Sequence, residues 1–285
     1  RSVYLIELPH KEDDPDALEH WVLELRRFRE FLAQRYGTPI DDRRLLAAVE
    51  TMNRERRLRR ELAELLKLDP PPLTGRELLD LKSMVSAIPA DLEKYEEALA
   101  FCRERLAGLE QSPARGDRGR RARVLLTGVP LAHGAERVIE LIESHGGVVV
   151  CQENCTGLKP ILEDVRADSS DLLRALAEKY FRIPCSVKTP NRRRLAAIRD
   201  LSREYRADCV VDLIWQACLT YDIEAARVKR VVEQELEIPY LRVTTDYSPS
   251  DSARLAVRFE ALFETARMRG ARDGGRGGAN PGAGK

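Results

Sequence analysis

The sequence is short of the groupings that mark the common enzyme classes. It has four histidines and neither an HExxH pair nor a Ser/His/Asp arrangement, which leaves metalloprotease and triad hydrolase chemistry without support. Neither GxGxxG nor GxxxxGK followed by Ser or Thr stands between a strand and a helix, so ordinary dinucleotide and P-loop binding lack their glycines. DGGRGG near the C-terminus follows no strand pattern. No apolar run approaches the ~18 uncharged residues that a membrane-spanning helix needs, and the opening RSVYLIELPH has no signal-peptide pattern. An excess of charge of one sign is missing too. The 48 Lys and Arg face 47 Asp and Glu, a net +1, so no global field draws the chain to nucleic acid or to an anionic membrane. Cysteine is too sparse for a disulfide framework, six in 285 residues with no CxxC pair. Free or metal-bound thiols in a reducing compartment, the cytoplasm, are expected instead.

What is present is an ordered alternation. VYLIE at 3 to 7 has the composition of a strand, and charged amphipathic helices follow it. Asp14 and Pro15 suit the start of a helix running to about Tyr36, with Gly37 as its C-cap. A second helix is expected from about Asp41 to Leu68, ending before Pro70, Pro71 and Pro72. A third, capped by Thr74, spans Gly75 to Met84, and a fourth runs from about Ala90 to Leu109. Residues 111 to 123, QSPARGDRGRRAR, are rich in Arg and Gly and mark a linker.

Beyond it, short apolar runs at 124 (VLLTG), 148 (VVV), 209 (CVVDLIW) and 240 (YLRVT) alternate with helices. These are expected from about Ala135, Asp171, Pro190 (capped by Thr189), Asp222 and Asp251, the last ending near Met268. Continuous apolar strands separated by helices indicate a doubly wound parallel sheet, an α/β fold, preceded by a mainly helical region with one leading strand. The expected division is residues 1–112, a linker at 113–123, a Rossmann-like unit at 124–269 and a disordered tail at 270–285.

In an open parallel sheet, ligands gather outside the carboxyl ends of the strands. That rule separates the cysteines. Cys155 in ENCTG follows the strand at 148, Cys218 in WQACLTY follows the strand at 209, and Cys185 lies in the loop IPCSVKTP. Cys151, Cys209 and Cys102 sit within apolar or helical patterns and are expected to be buried packing residues. Three converging thiolates suit an iron-sulfur cluster, or zinc if His133 of TGVPLAHG supplied a fourth ligand; three buried thiols with no metal are the plainer alternative. The turn at Thr127 and Gly128 could rest a phosphate on its backbone or could simply be a tight turn. Asn154, Thr156, Gly157 and Gln216, beside the thiols, are further candidates to line a site.

The motifs taken together resemble a known family. MNRERR at 52, PPPLTGREL at 70, LLTGVP at 125, VVVCQENCTG at 148, KYFRIPCSVKTPN at 179, VVDLIWQACLTY at 210 and IPYLRVTTDYSPSD at 238 resemble, in order, the 2-hydroxyacyl-CoA dehydratase family. The likeness is to its double-cubane cluster protein branch, related to benzoyl-CoA reductase type subunits. The resemblance implies Rossmann-like α/β domains with helical elaborations and [4Fe-4S] clusters near their interface. It also implies a dimer and a separate ATP-hydrolysing iron-sulfur activator protein that delivers electrons. The implied reaction is ketyl-radical dehydration of a 2-hydroxyacyl-CoA, or a low-potential reduction of a small molecule. By motif, the cluster ligands are Cys155, Cys185 and Cys218.

Two departures narrow this expectation. The double-cubane branch has a cysteine in its first turn where this chain has Val129, so one three-cysteine cubane is expected rather than two fused ones. The family's upstream α/β domain is also not in the sequence, which begins with Arg near that domain's last strand; a fragment or a reduced variant is implied. An electron-transfer or cluster-scaffold protein without its own substrate, or a degenerate domain lacking activity, are the alternative functions.

Overall fold

The structure, a computed structural model, describes residues 3–81, 88–110, 120–131 and 134–276. Four helices come first: α1 (Ala17–Tyr36), α2 (Asp42–Glu64), α3 (Gly75–Asp80) and α4 (Pro89–Glu110). An alternating part follows, with β1 (Ala122–Gly128), α5 (Arg137–Ser144), β2 (Gly147–Glu153), α6 (Leu172–Phe181) and α7 (Arg192–Glu204). The chain continues through β3 (Cys209–Trp215), α8 (Leu219–Arg230), β4 (Tyr240–Thr245) and α9 (Ser252–Arg276).

The four strands form one all-parallel sheet in the order β2-β1-β3-β4. Every residue of β1 and β2 is buried, as strands covered on both faces require. On one face, Val124, Leu126, Val211 and Val243 pack with Ile139 and Ile142 of α5 and with Leu255, Phe259 and Phe263 of α9. On the other, Leu125, Val148, Val150 and Val210 pack with Leu58 and Leu62 of α2, Tyr95 and Leu99 of α4, and Ile198 and Leu201 of α7. Helices α2 and α4, which precede the sheet in sequence, thus help to cover one of its faces.

Because β2 and β3 flank β1 on opposite sides, the winding reverses between β1 and β3, the switch point at whose carboxyl ends open α/β sheets place their ligands. Gly128 ends β1 there. Its φ is +105°, and a Cβ there would lie 2.0 Å from the Leu213 carbonyl oxygen, so the backbones of β1 and β3 touch where a side chain would separate them.

Several element boundaries differ from expectation. VYLIE forms no strand: the Tyr4 ring packs at a tilt against Phe28 and Phe31 of α1, while Val3 and Leu5 are 93% and 87% exposed. A strand needs a neighbour to complete its hydrogen bonds, and no described residue pairs with this segment. The first helix begins after Asp16, because Asp14 spends its carboxylate on the Asp16 N–H at 3.0 Å. Helix α7 begins after Asn191 rather than at Pro190, whose peptide bond with Thr189 is cis. Helix α8 begins three residues before Asp222, which puts Cys218 at its N-cap. Helix α9 continues to Arg276, past the expected end near Met268 and into the stretch expected to be disordered from residue 270. Most of the expected linker, the end of the third expected helix, His133 and residues 277–285 lie outside the described residues. Among the described residues, no helix is long and apolar enough to cross a membrane.

Arg123 locks the sheet to the helical layer. Its side chain is buried and donates to the carbonyls of Leu66, Leu68 and Tyr205, at 2.8 to 3.1 Å, capping chain ends beyond α2 and α7. Arg123→Met leaves those carbonyls without a donor in a site too enclosed for easy hydration. We expect a loss of about 3 kcal/mol in urea unfolding of the variant, with the far-ultraviolet dichroism of the folded state unchanged.

Candidate functional site

The ENCTG turn is built from one side chain. Asn154 is fully buried, and its Oδ1 accepts from the Thr156 N–H (3.0 Å), the Thr156 hydroxyl (2.7 Å) and the Gly157 N–H (2.9 Å). The turn doubles back so tightly that a Cβ on Gly157 would stand 2.0 Å from the Gln152 carbonyl oxygen. Thr156 in turn accepts from the Leu131 N–H at 3.1 Å, joining the turn after β2 to the turn after β1. Cys155 is held exposed at the apex of this construction.

Cys185 is partly buried in the α6–α7 loop, where its carbonyl accepts from the Lys188 N–H and from the Asn191 carboxamide at 2.8 Å. The Asn191 carboxamide also donates to Glu224 at 3.1 Å, and its Oδ1 makes no capping bond to α7. Cys218 is partly buried at the start of α8, after a turn in which Ala217 takes a positive φ of 68° and Gln216 is exposed. Cys102, Cys151 and Cys209 are buried in the two main cores, as their patterns predict.

Cys155 and Cys185 are near enough to influence one another electrostatically. Burial pushes the Cys155 thiol above its ordinary pKa; the Lys159 ammonium pulls it down and the Cys185 thiol pushes it up. The Tyr221 side chain lies close to the Cys155 thiol and to Ser186, the neighbour of Cys185. Tyr221 lies in the first turn of α8, three residues after Cys218, so one aromatic side chain relates all three cysteine-bearing segments. Among the described residues, no group of three or more His, Cys, Asp or Glu side chains is gathered around a position for a single metal ion.

Beneath the thiols lies a buried charge network that the sequence patterns did not bring out. Arg194 of α7 is completely buried. It donates to Glu224 of α8 at 2.7 Å and to the Thr127 hydroxyl of β1 at 3.0 Å, and lies 3.7 Å from Glu153 of β2 and 4.0 Å from Asp212 of β3. Its guanidinium also covers the Tyr221 ring, 5.0 Å from the centroid. Burial opposes the charge on Arg194, but Glu153, Asp212 and Glu224 outweigh it and hold the pKa above the usual arginine value. Thr127 donates to Glu153 at 2.5 Å and is buried, so this candidate serves the network rather than an open turn. Gly128 serves strand contact, as described above.

Two ammonium groups complete the floor. Lys159 has a fully buried side chain, 3.2 Å from Glu153, and Lys188 is 2% exposed and lies over the Phe181 ring at 4.2 Å. Neither Nζ has a hydrogen-bond partner. A helical signal for Arg194 does exist in the sequence, since it shares a face of α7 with Ile198, Leu201 and Tyr205 at spacings of four, three and four.

Asp212 is the titratable member of the network. Burial pushes its pKa from 3.8 to about 6, although Arg194 and the Tyr240 hydroxyl, which donates to it at 2.9 Å, favour the carboxylate. A folded pKa above the unfolded one means that the folded state binds the proton more tightly. The stabilisation is therefore full below pH 3.8 and is lost as pH rises through 6. In urea unfolding from pH 4 to 8, Asp212→Asn should remove a decline on the order of 3 kcal/mol that the unsubstituted chain shows over that window.

Comparison with known proteins bears on this arrangement. The family model described as 2-hydroxyglutaryl-CoA dehydratase, D-component matches residues 1–266. The Escherichia coli (strain K12) protein named "Putative dehydratase subunit YjiM" is 37% identical over 266 residues, covering 93% of this chain and 68% of that protein.

Proposed function

Since the chain belongs to the 2-hydroxyglutaryl-CoA dehydratase D-component family, we propose that it is an iron-sulfur subunit in which Cys155, Cys185 and Cys218 hold one [4Fe-4S] cluster. The observation that carries this reading is the sorting of the cysteines. Three are sealed in the core; of the other three, Cys155 and Cys218 follow β2 and β3 directly and Cys185 stands in the α6–α7 loop near Cys155, with two buried ammonium groups that lack hydrogen bonds close by. The donor set fits the group: thiolate is the ligand of iron-sulfur clusters, and a cubane takes one thiolate per iron at separate corners, so its ligands need not converge on one point. When bound, such a cluster supplies low-potential one-electron chemistry and, with three cysteines, one iron open to exchange.

The chain's own residues prepare the site. Asn154 fixes the turn that presents Cys155, Asn191 fixes the loop that presents Cys185, and the Tyr221 side chain stands beside the Cys155 sulfur. Val129, where a further thiol would be needed for a double cubane, is 2% exposed and packed in the core, which supports a single cluster. In this reading the subunit works in the cytoplasm with a second subunit and with an ATP-hydrolysing activator that supplies electrons. Its substrate is a 2-hydroxyacyl-CoA, dehydrated as the name of the YjiM relative suggests, or another small molecule reduced at low potential.

A second reading, an electron carrier without its own substrate, draws on Thr127 and Gly128. Both are consumed by internal contacts, as are Thr156 and Gly157 within the ENCTG turn, which leaves Gln216 as the candidate still able to meet a substrate. Activator- and ATP-dependent loss of water from a 2-hydroxyacyl-CoA would decide against it.

Anaerobic reconstitution with iron and sulfide should give about four irons per chain and a broad visible absorption. Replacing Cys155, Cys185 or Cys218 by Ser should lower the iron content by half or more, whereas Cys102→Ser should leave it unchanged. An iron-free chain after reconstitution would overturn the proposal.

A further inference from the structure

We propose that the buried ammonium groups of Lys159 and Lys188 set the charge balance of the three-thiol site and, through it, the reduction potential of the cluster; this inference rests on the iron-sulfur reading above. Lysine is seldom buried, and a buried ammonium without hydrogen bonds is a costly arrangement unless negative charge stands nearby. Here the arrangement occurs twice, once after each of two candidate ligands. Lys159 is four residues after Cys155, on the helical turn Lys159–Ile161, and Lys188 is three residues after Cys185.

Their surroundings do not fully satisfy them. Lys159 has the Glu153 carboxylate at 3.2 Å and the Tyr221 ring at 5.7 Å, but its geometry toward Glu153 makes no hydrogen bond. Glu153 is itself shared with Thr127 and Arg194. Lys188 lies over the Phe181 ring and senses Glu12 and Cys185 as favourable charges and Arg193 as an unfavourable one; burial outweighs the favourable pair and lowers its pKa. Glu12 lies 3.8 Å from Arg193 and is therefore not the exclusive partner of Lys188. Lys188 is thus short of negative charge, whereas burial at Lys159 is outweighed by negative neighbours, Glu153 foremost, which hold its pKa above the usual lysine value, so that each lysine presents a cation beside its thiol.

Three thiolates on a cubane bring negative charge, and one-electron reduction adds one more negative unit. In a poorly solvated site, a fixed cation favours the reduced state over the oxidised one, because charges interact more strongly where water does not screen them. Removing the cation must therefore make reduction harder.

The test uses the full chain, reconstituted anaerobically and titrated with an external reductant while the reduced cluster is followed by electron paramagnetic resonance. Lys159→Met and Lys188→Met should each lower the midpoint potential by at least a tenfold change in the one-electron equilibrium, ~59 mV. Lys159→Arg, which keeps the charge, and Lys229→Met, on the exposed side of α8, should leave it in place. Should Lys159→Met fail to fold by circular dichroism, the Lys188 variant carries the test. Loss of iron from a folded Lys159→Met chain, with retention in Lys159→Arg, would also support the assignment. Full iron content with unshifted midpoints in the Met variants would overturn this inference and leave the cluster reading intact, whereas an iron-free unsubstituted chain would remove both.

Discussion

The buried guanidinium of Arg194 is the interaction around which the carboxyl edge of the sheet is organised. One side chain of α7 reaches Thr127 on β1, Glu153 on β2, Asp212 on β3 and Glu224 on α8, and lies over the ring of Tyr221. Taking these charges out of water is costly, so the pairing is stable only while the partners stay in place together. It therefore demands a common register at the ends of three strands. That register places the ENCTG turn, the start of α8 and the loop before α7 around one aromatic ring.

This makes the region beneath the thiols a rigid, charged floor rather than an apolar one. Apolar packing would hold the strands together as well or better, since buried ion pairs seldom add net stability over hydrophobic contacts. What the charges add is a field. Counting Lys159 and Arg194 against Glu153, Asp212 and Glu224, the network is close to balanced, and the carboxyl of Asp212, with a pKa pushed up to about 6, lets the balance shift by a proton. A site whose chemistry depends on electron density at sulfur gains from such an environment, because the field acts on the ligand atoms without occupying space beside them.

Much of the architecture was legible in the chain. The continuous apolar runs at 124, 148, 209 and 240 all form parallel strands, the first three buried and the last a half-exposed edge strand. The cysteines separated on the same grounds, since Cys151 and Cys209 interrupt apolar runs while Cys155 and Cys218 follow them. VYLIE misled because composition reports what a segment could do in a sheet and not whether a neighbour is there to complete it. Thr189 and Pro190 misled because α7 begins only after Asn191, whose carboxamide is held by the Cys185 carbonyl and by Glu224. The choice of Arg194 from the run RRR at 192 was decided by the burial of one helix face, for which the spacing to Ile198 and Leu201 was the available hint.

Local chemistry written in the sequence thus determined the elements, the order of strands and helices, the three cysteines free of the core and the family to which the chain belongs. Periodicity and turn-forming residues act over a few positions, and a linear reading carries them in full. Only the tertiary structure decided that Lys159, Arg194, Glu153 and Asp212 meet in one buried network and that Lys188 is buried near Cys185. In the sequence each is an ordinary charged residue of the kind that is usually solvated. Its role arises from the loss of water and the approach of partners up to about 70 positions away, which exist only once the sheet has closed.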